Sequence, residues 1–254
     1  MLPFLVLLGI SKGKCNSKET RNLVQMIFCS KHFFPEIDAC DNIMDIAFLL
    51  DSSGSITPNE FQQAKDFIEL MANSFLKNKV GSRVGLIQYS IVPTINARFS
   101  DGLTSNQFRS VLDKVVHKGG YTRLDRALLL TGEKLFSDEE DTQKDIPKVL
   151  VVITDGINTD APDFTPLDTA VAPLRRAGVR VFIVCIGSKK GLEELYLLTQ
   201  QHEDLYHVKT YNDLALQLRR ISKDTCESGG KSLKKLLRHF CCKYLCCFCR
   251  CCCC

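Results

Sequence analysis

The chain has 254 residues, enough for one sizeable domain with flanking segments but not for a second full core. Its 45% hydrophobic and 24% charged content is ordinary for a globular protein and excludes disorder as the default state. The net charge of +4 is uneven: residues 231–254 hold six Lys or Arg and no acid, leaving 27 basic against 29 acidic residues elsewhere, so the body of the chain is not a nucleic-acid binder by charge.

In chain order, Leu2 to Ile10 is a short apolar run followed by small Ser11, which has the form of a secretory signal over residues 1–11, although no Lys or Arg precedes it. The run is too short to span a bilayer. Residues 12–42 form a segment containing Cys15, Cys29 and Cys40, residues 43–226 read as the domain proper, and residues 227–254 are a basic, Cys-rich tail. Within the domain, the apolar run Ile46 to Leu50 empties into Asp51-Ser-Ser-Gly-Ser55, as a doubly covered parallel strand does. Thr57, Pro58 and Glu60 then signal a helix start, with Phe61, Ala64, Phe67, Ile68 and Met71 on its apolar face.

A second strand is predicted over Arg83 to Tyr89 and a short edge strand over Thr94 to Phe99. Phe108, Val111, Leu112 and Val115 recur at helical spacing, Gly119-Gly120 breaks the chain, and a helix is predicted over Leu124 to Phe136. Lys148 to Thr154 is the strongest strand and ends at Asp155. A helix over Pro166 to Ala177, a strand over Arg180 to Ile186, a helix over Leu192 to Gln200, a strand over Leu205 to Val208 and a helix over Asp213 to Ser222 complete the chain. This alternation predicts an α/β fold: a doubly wound, mainly parallel sheet with one short antiparallel edge strand and helices on both faces.

Ligands of such sheets sit beyond the carboxyl ends of the strands. Asp51, Ser53 and Ser55 lie there after the first strand, Asp155 after the Val-rich strand, and Thr122 on a third loop after Gly119-Gly120. Taken alone, Asp51-Ser-Ser-Gly-Ser55 is also ordinary turn and cap chemistry. Together the residues make an oxygen-only set of two carboxylates and three hydroxyls, which suits Mg²⁺, Mn²⁺ or Ca²⁺, whereas zinc normally takes nitrogen or sulfur. Hydroxyls are neutral, so an ion held mainly by Ser53, Ser55 and Thr122 keeps much of its charge and has use for a carboxylate from outside.

Asp51-x-Ser53-Gly-Ser55, Gly-Gly-x-Thr122 and Thr154-Asp155-Gly156 resemble the metal-ion-dependent adhesion site of von Willebrand factor type A domains, integrin I-domains included, and the resemblance runs from about Asp45 to Cys226. It implies that Ser53, Ser55 and Thr122 coordinate the ion, that Asp51 and Asp155 act directly or through water, and that a Glu or Asp of a protein partner supplies the last ligand. It also implies that affinity changes where the last helix shifts. Ser188-Lys-Lys-Gly191 leads straight into Leu192, without room for the extra short helix of collagen-binding integrin I-domains. The flanking cysteines and the Arg83 to Ser90 strand look more like A-domains of matrilins and type VI collagens, and the A-domain of anthrax toxin receptors is also similar.

Nine of the fourteen cysteines crowd the tail from Cys241 to Cys254, and Cys185 reads as a core thiol. Cys15, Cys29, Cys40 and Cys226 allow three pairings. Cys40 and Cys226 bracket the domain, and if its ends meet, a bridge there closes a long loop, with roughly 5 kcal/mol from chain entropy, and pairs Cys15 with Cys29. That implies an oxidising compartment. The tail admits intermolecular disulfides, metal–thiolate binding, S-acylation at a membrane, or a non-native reading frame.

Asp101, Asp125 and Glu139-Glu140-Asp141 read as solvated surface charges. The five histidines are scattered, and no phosphate loop or nucleophile motif appears, so enzymatic activity is not expected. The leading reading is a secreted, cation-dependent adhesion module of matrix type whose partner offers Glu or Asp, in which the tail allows a disulfide-linked oligomer. The alternative is an intracellular scaffold held at a membrane by a lipidated tail.

Overall fold

The computed structural model of the chain describes Cys40 and residues 42–77, 81–137, 146–156, 158–159, 161–187, 191–214 and 217–227. The leader over residues 1–11, Cys15, Cys29, Glu139-Glu140-Asp141 and the tail cysteines lie outside them.

Six strands form one sheet: β1 (Asp45–Asp51), β2 (Arg83–Tyr89), β3 (Thr94–Ala97), β4 (Lys148–Thr154), β5 (Arg180–Ile186) and β6 (Leu205–Val208). Their order is β3-β2-β1-β4-β5-β6, every pairing parallel except β2 with β3. The doubly wound sheet and its antiparallel edge strand are therefore as the sequence predicts. Strand succession reverses direction between β1 and β4, and the crevice at such a switch point is where α/β sheets bind ligands.

The helices are α1 (Pro58–Leu76), α2 (Ser105–Lys114), α3 (Leu124–Leu130), α4 (Leu167–Ala170), α5 (Ala172–Arg176), α6 (Leu192–Tyr196) and α7 over residues 217–227. α1 starts on a complete capping box between Thr57 and Glu60, with Pro58 in the first turn. All seven residues of β1 are buried because both faces of the sheet are covered. Ala47 and Leu49 share a cluster with Leu150, Val152, Ile183, Leu128 and Leu174, while the Phe48 ring lies 6.3 Å from Phe108 of α2. Each such large side chain contributes about 1.5–3 kcal/mol on burial. Among the described residues no helix is long and apolar enough to cross a membrane.

Four helices differ from expectation, the one over Leu192 to Gln200 in that it ends at Tyr196. The one over Pro166 to Ala177 is two, α4 and α5, parted at Val171, because Pro173 lacks an N–H and its ring crowds the preceding turn. α3 gives way at Thr131 to a wider turn closed by a Phe136 N–H bond to the Thr131 carbonyl, where Gly132 packs against Pro173 too closely to admit a Cβ. A short 3₁₀ turn, Tyr211–Asp213, stands where the last helix was expected to begin.

Cys40 and Cys226 are joined by a disulfide across 186 residues of sequence. The junction is held further by Cys40 N–H on the Ser74 carbonyl (2.8 Å), Asn42 Nδ2 on the Cys226 carbonyl (2.9 Å), and the buried Ser74–Ser222 hydroxyl pair (3.0 Å). Cys185 is a buried thiol outside the disulfide, which burial and then the nearby Asp155 charge push up to about 11. We expect replacement of both Cys40 and Cys226 by Ser to lower unfolding free energy by about 2–5 kcal/mol in denaturant titrations. Cys185 should resist iodoacetamide at neutral pH until the chain is unfolded, as read by mass spectrometry.

Candidate metal centre

β1 delivers Asp51 to the switch point, where it is 1% exposed. A buried carboxylate needs donors, and three reach it: Ser53 N–H to Oδ1 (2.9 Å), and Thr154 Oγ1 (2.9 Å) and Tyr89 Oη (3.1 Å) to Oδ2. Burial and then the charge of Asp155 raise Asp51 to about 6, against the hydrogen bonds from Ser53 and Thr154 that lower it. The charge of Asp155 thus acts on a carboxylate already removed from water, a repulsion that a bound cation relieves.

The loop after β1 folds back so that Ser53 Oγ and Ser55 Oγ lie 3.1 Å apart, the first buried and the second exposed. It is clasped to the loop after α2. Ser52 Oγ accepts from Lys118 N–H (2.7 Å) and Gln88 Nε2 (2.8 Å), the Ser52 carbonyl accepts from Gly119 N–H (2.9 Å), and Gly54 N–H donates to the Gly120 carbonyl (2.8 Å). Gly120 has a φ of +89°, a left-handed conformation that favours glycine, which is why the chain turns at the Gly-Gly break.

Two residues on, Thr122 is nearly buried and exchanges two bonds with Thr159: its N–H donates to Thr159 Oγ1 (3.1 Å) and its carbonyl accepts Thr159 N–H (3.2 Å). The Thr122 loop is thereby fastened to the segment that follows Asp155. Asp155 itself is partly exposed, and its loop packs on Gly191, where a Cβ would lie 2.1 Å from the Gly156 carbonyl oxygen. The structure therefore brings the three predicted loops to one place. Among the described residues no three His, Cys, Asp or Glu side chains form a metal-binding group, so any cation site here depends on hydroxyls. The set fits a divalent ion: hard oxygen donors, a carboxylate pair in need of neutralisation, and an exposed edge at Ser55.

Asp125 corrects the sequence reading. It is fully buried, not a solvated surface charge, because Arg123 forms a two-pronged ion pair with it (2.9 and 2.7 Å) and Thr165 N–H adds a third bond (3.0 Å). Arg123 also reaches Asp163 (2.8 Å), which Arg126 grips as well. Burial raises Asp125, but the bonds from Arg123 and the Thr165 and Arg126 backbone outweigh it and hold the carboxyl below its ordinary value. This network locks the residue after Thr122 to the segment leading into α4. Tyr89, Ser52, Gln88 and Thr159 are supports that the sequence reading also missed. Their signal was proximity to the motif residues, since Tyr89 ends β2 and Ser52 lies inside Asp51-Ser-Ser-Gly-Ser55.

A family profile for the von Willebrand factor type A domain matches residues 45–222. The chain is 27% identical over 183 residues to von Willebrand factor A domain-containing protein 1 of Mus musculus, covering 72% of this chain and 43% of that protein. It is 29% identical over 188 residues to collagen alpha-6(VI) chain of Mus musculus, covering 73% of this chain and 8% of that one. The chain thus spans less than half the length of these relatives. Among solved structures, proximal thread matrix protein 1 from the mussel byssus superposes with a TM-score of 0.69 at 25% identity, covering 74% of this chain and 49% of the other. A structure of the same mussel protein with a zinc-occupied MIDAS motif shares the fold at 24% identity and a TM-score of 0.68.

The Arg123 network gives a measurable pH signature. Asp125→Asn removes the buried carboxylate that grips Arg123 and leaves the more exposed Asp163 as its remaining counter-charge, so it should cost about 3 kcal/mol at neutral pH, the low end for a broken buried pair. Because the native carboxyl lies below its ordinary value of 3.8, its stabilisation is complete above that value and is lost as pH falls through the native one. The stability gap between wild type and Asp125→Asn, followed by denaturant titration, should therefore be full near neutrality and shrink below pH 3.8.

Proposed function

The chain belongs to the von Willebrand factor type A domain family, and on that premise we propose that it is a divalent-cation-dependent protein-binding module whose partner supplies a Glu or Asp carboxylate. The observation that carries this reading is the convergence of the Asp51, Thr122 and Asp155 loops at the β1–β4 switch point around an oxygen set rich in hydroxyls. The domain is taken as residues 43–226.

Ser53, Ser55 and Thr122 are the proposed direct ligands. Asp51 is already engaged by three donors, which leaves few of its roughly four lone pairs free, so its part is to orient the Ser53 backbone and to supply charge from behind. Asp155 supplies the second charge from the exposed side. A bound cation supplies a Lewis-acidic position for the partner's carboxylate. Nothing in this arrangement pairs a nucleophile with a base, and the reading is one of adhesion without turnover.

Mg²⁺ or Mn²⁺ is the proposed ion, with Ca²⁺ the third choice. Zn²⁺ belongs in the same titrations because a protein of this fold holds it at its own motif. The Cys40–Cys226 bridge supports an extracellular, matrix-type setting over a membrane-anchored intracellular one.

Calorimetric titration should show one site, and at a hundredfold excess of free ion over Kd the chain should gain about 2.7 kcal/mol of stability. Thr122→Ala should abolish both effects, whereas Thr122→Ser should restore them. Undiminished heats in Thr122→Ala and Asp51→Ala would remove these residues from the site. Capture of partners from matrix extracts should disappear on chelation.

A further inference from the structure

Among the described residues six large apolar side chains stand exposed, and four of them border the candidate metal centre: Ile91 (46%), Val92 (61%), Val116 (69%) and Tyr121 (66%). The other two, Ile43 and Leu197, lie apart, before β1 and after α6. Exposed apolar residues scattered singly are ordinary. Four on adjoining loops leave apolar area in water at one place, which marks an interaction surface.

The loops that carry them are bonded to one another. Ile91 and Val92 sit in the turn of the β2–β3 hairpin, which the pairing of Gln88 with Thr94 closes. Lys118 Nζ donates to Thr94 Oγ1 (2.8 Å) and Gln88 Nε2 to the Val116 carbonyl (2.6 Å), so the loop after α2 runs beside that hairpin. Further along the same loop, Ile91 Cδ1 lies 2.9 Å from where a Cβ of Gly120 would stand, and Arg123 N–H donates to the Ser90 carbonyl (3.0 Å). The Gly120 carbonyl in turn holds Gly54 N–H (2.8 Å), between Ser53 and Ser55. Tyr121 follows Gly120 and precedes Thr122, so it stands one Cα step, about 3.8 Å, from a proposed ligand.

The two flanks of the centre therefore differ in chemistry. Toward β5 and β6 lies a cleft lined by Glu60, Asp155, Lys209 and Tyr211, whereas the flank at the β2–β3 turn is apolar. A partner Lys or Arg on the apolar flank would meet Lys118 and Arg126, whose side chains bond to Thr94 and to the Ile91 carbonyl there. A carboxylate set over the patch would lose water to four side chains that offer a single donor, the Tyr121 hydroxyl. An apolar side chain has no such cost, and its contact removes both surfaces from water. We infer that Ile91, Val92, Val116 and Tyr121 are the apolar half of the cation-dependent surface, taking a Leu, Ile, Met or Phe side chain within two positions of the Glu or Asp that the cation binds. The inference rests on the function proposed above and adds the chemistry of the neighbouring partner residue.

The test is selection of a random peptide library on the immobilised full chain in saturating Mn²⁺, repeated with the double variant Val92→Ser/Val116→Ser, followed by calorimetry on the selected peptides. Wild type should enrich peptides in which Leu, Ile, Met or Phe lies within two positions of Glu or Asp. Replacing that apolar residue by Ser should weaken binding about 3–10-fold, as for burial of about half of a Leu-sized side chain. The double variant should keep the wild-type heat of Mn²⁺ binding and still enrich acids, but lose the apolar preference. Acids enriched with no apolar neighbour, with a cationic or second acidic neighbour instead, or with an apolar preference unchanged in the double variant, overturn the patch and leave the cation reading standing. Light scattering that finds the wild type self-associated and the double variant monomeric assigns the patch to a second copy of the chain and overturns the inference in the same way. Failure to enrich acids in Mn²⁺ overturns the cation reading and the inference with it.

Discussion

The whole architecture of the site follows from burying the Asp51 carboxylate at the end of a central strand. A carboxylate removed from water must be met by donors, and the donors come from three elements: Ser53 from its own loop, Tyr89 from β2 and Thr154 from β4. Those partners are adjacent because β1 lies between β2 and β4, with Asp51 opposite Tyr89 in the parallel register. The sheet order thus does more than support the loops. It determines which side chains can reach the acid.

Around that acid, rigidity is built from backbone contacts more than from side-chain bulk. Ser52 joins the first and second loops through both its hydroxyl and its carbonyl, and the reciprocal Thr122–Thr159 bonds join the second to the third. Gly54 and Gly191 let main chains approach closely: a Cβ would lie 3.3 Å from the Gly120 nitrogen at the first and 2.1 Å from the Gly156 carbonyl oxygen at the second. Preorganised oxygens of this kind lose little freedom when a ligand arrives, which favours binding by reducing its entropic cost.

The sheet was legible because its evidence is local and redundant. β1, β4 and β5 are continuous apolar runs, the first two leading into Asp51 and Asp155, and the capping box at Thr57 and Glu60 announced α1. The candidate site residues stood out for the same reason, since each motif sits within a few residues of a strand end or a glycine break. What escaped was non-local or contextual. Asp125 resembled any acid in a first helical turn until Arg123 and Thr165 closed over it. Tyr211 lines a cleft with Asp155 only because the fold brings the segment after β6 beside the loop after β4. The break at Val171 could have been anticipated from Pro173, whose effect on the preceding turn was outweighed by the apolar pattern around it.

The Cys40–Cys226 bridge has a mechanical consequence. It joins the two points where the chain enters and leaves the domain, with Cα atoms 5.6 Å apart. Tension applied through the segments before Cys40 and after Cys226 passes from one to the other through the covalent link and bypasses the sheet. Under load the domain therefore adds almost no slack to the chain, and the geometry of the Asp51 loop stays independent of the force carried by its neighbours. A domain closed in this way can be pulled at its two ends while the loops around Asp51 keep their arrangement.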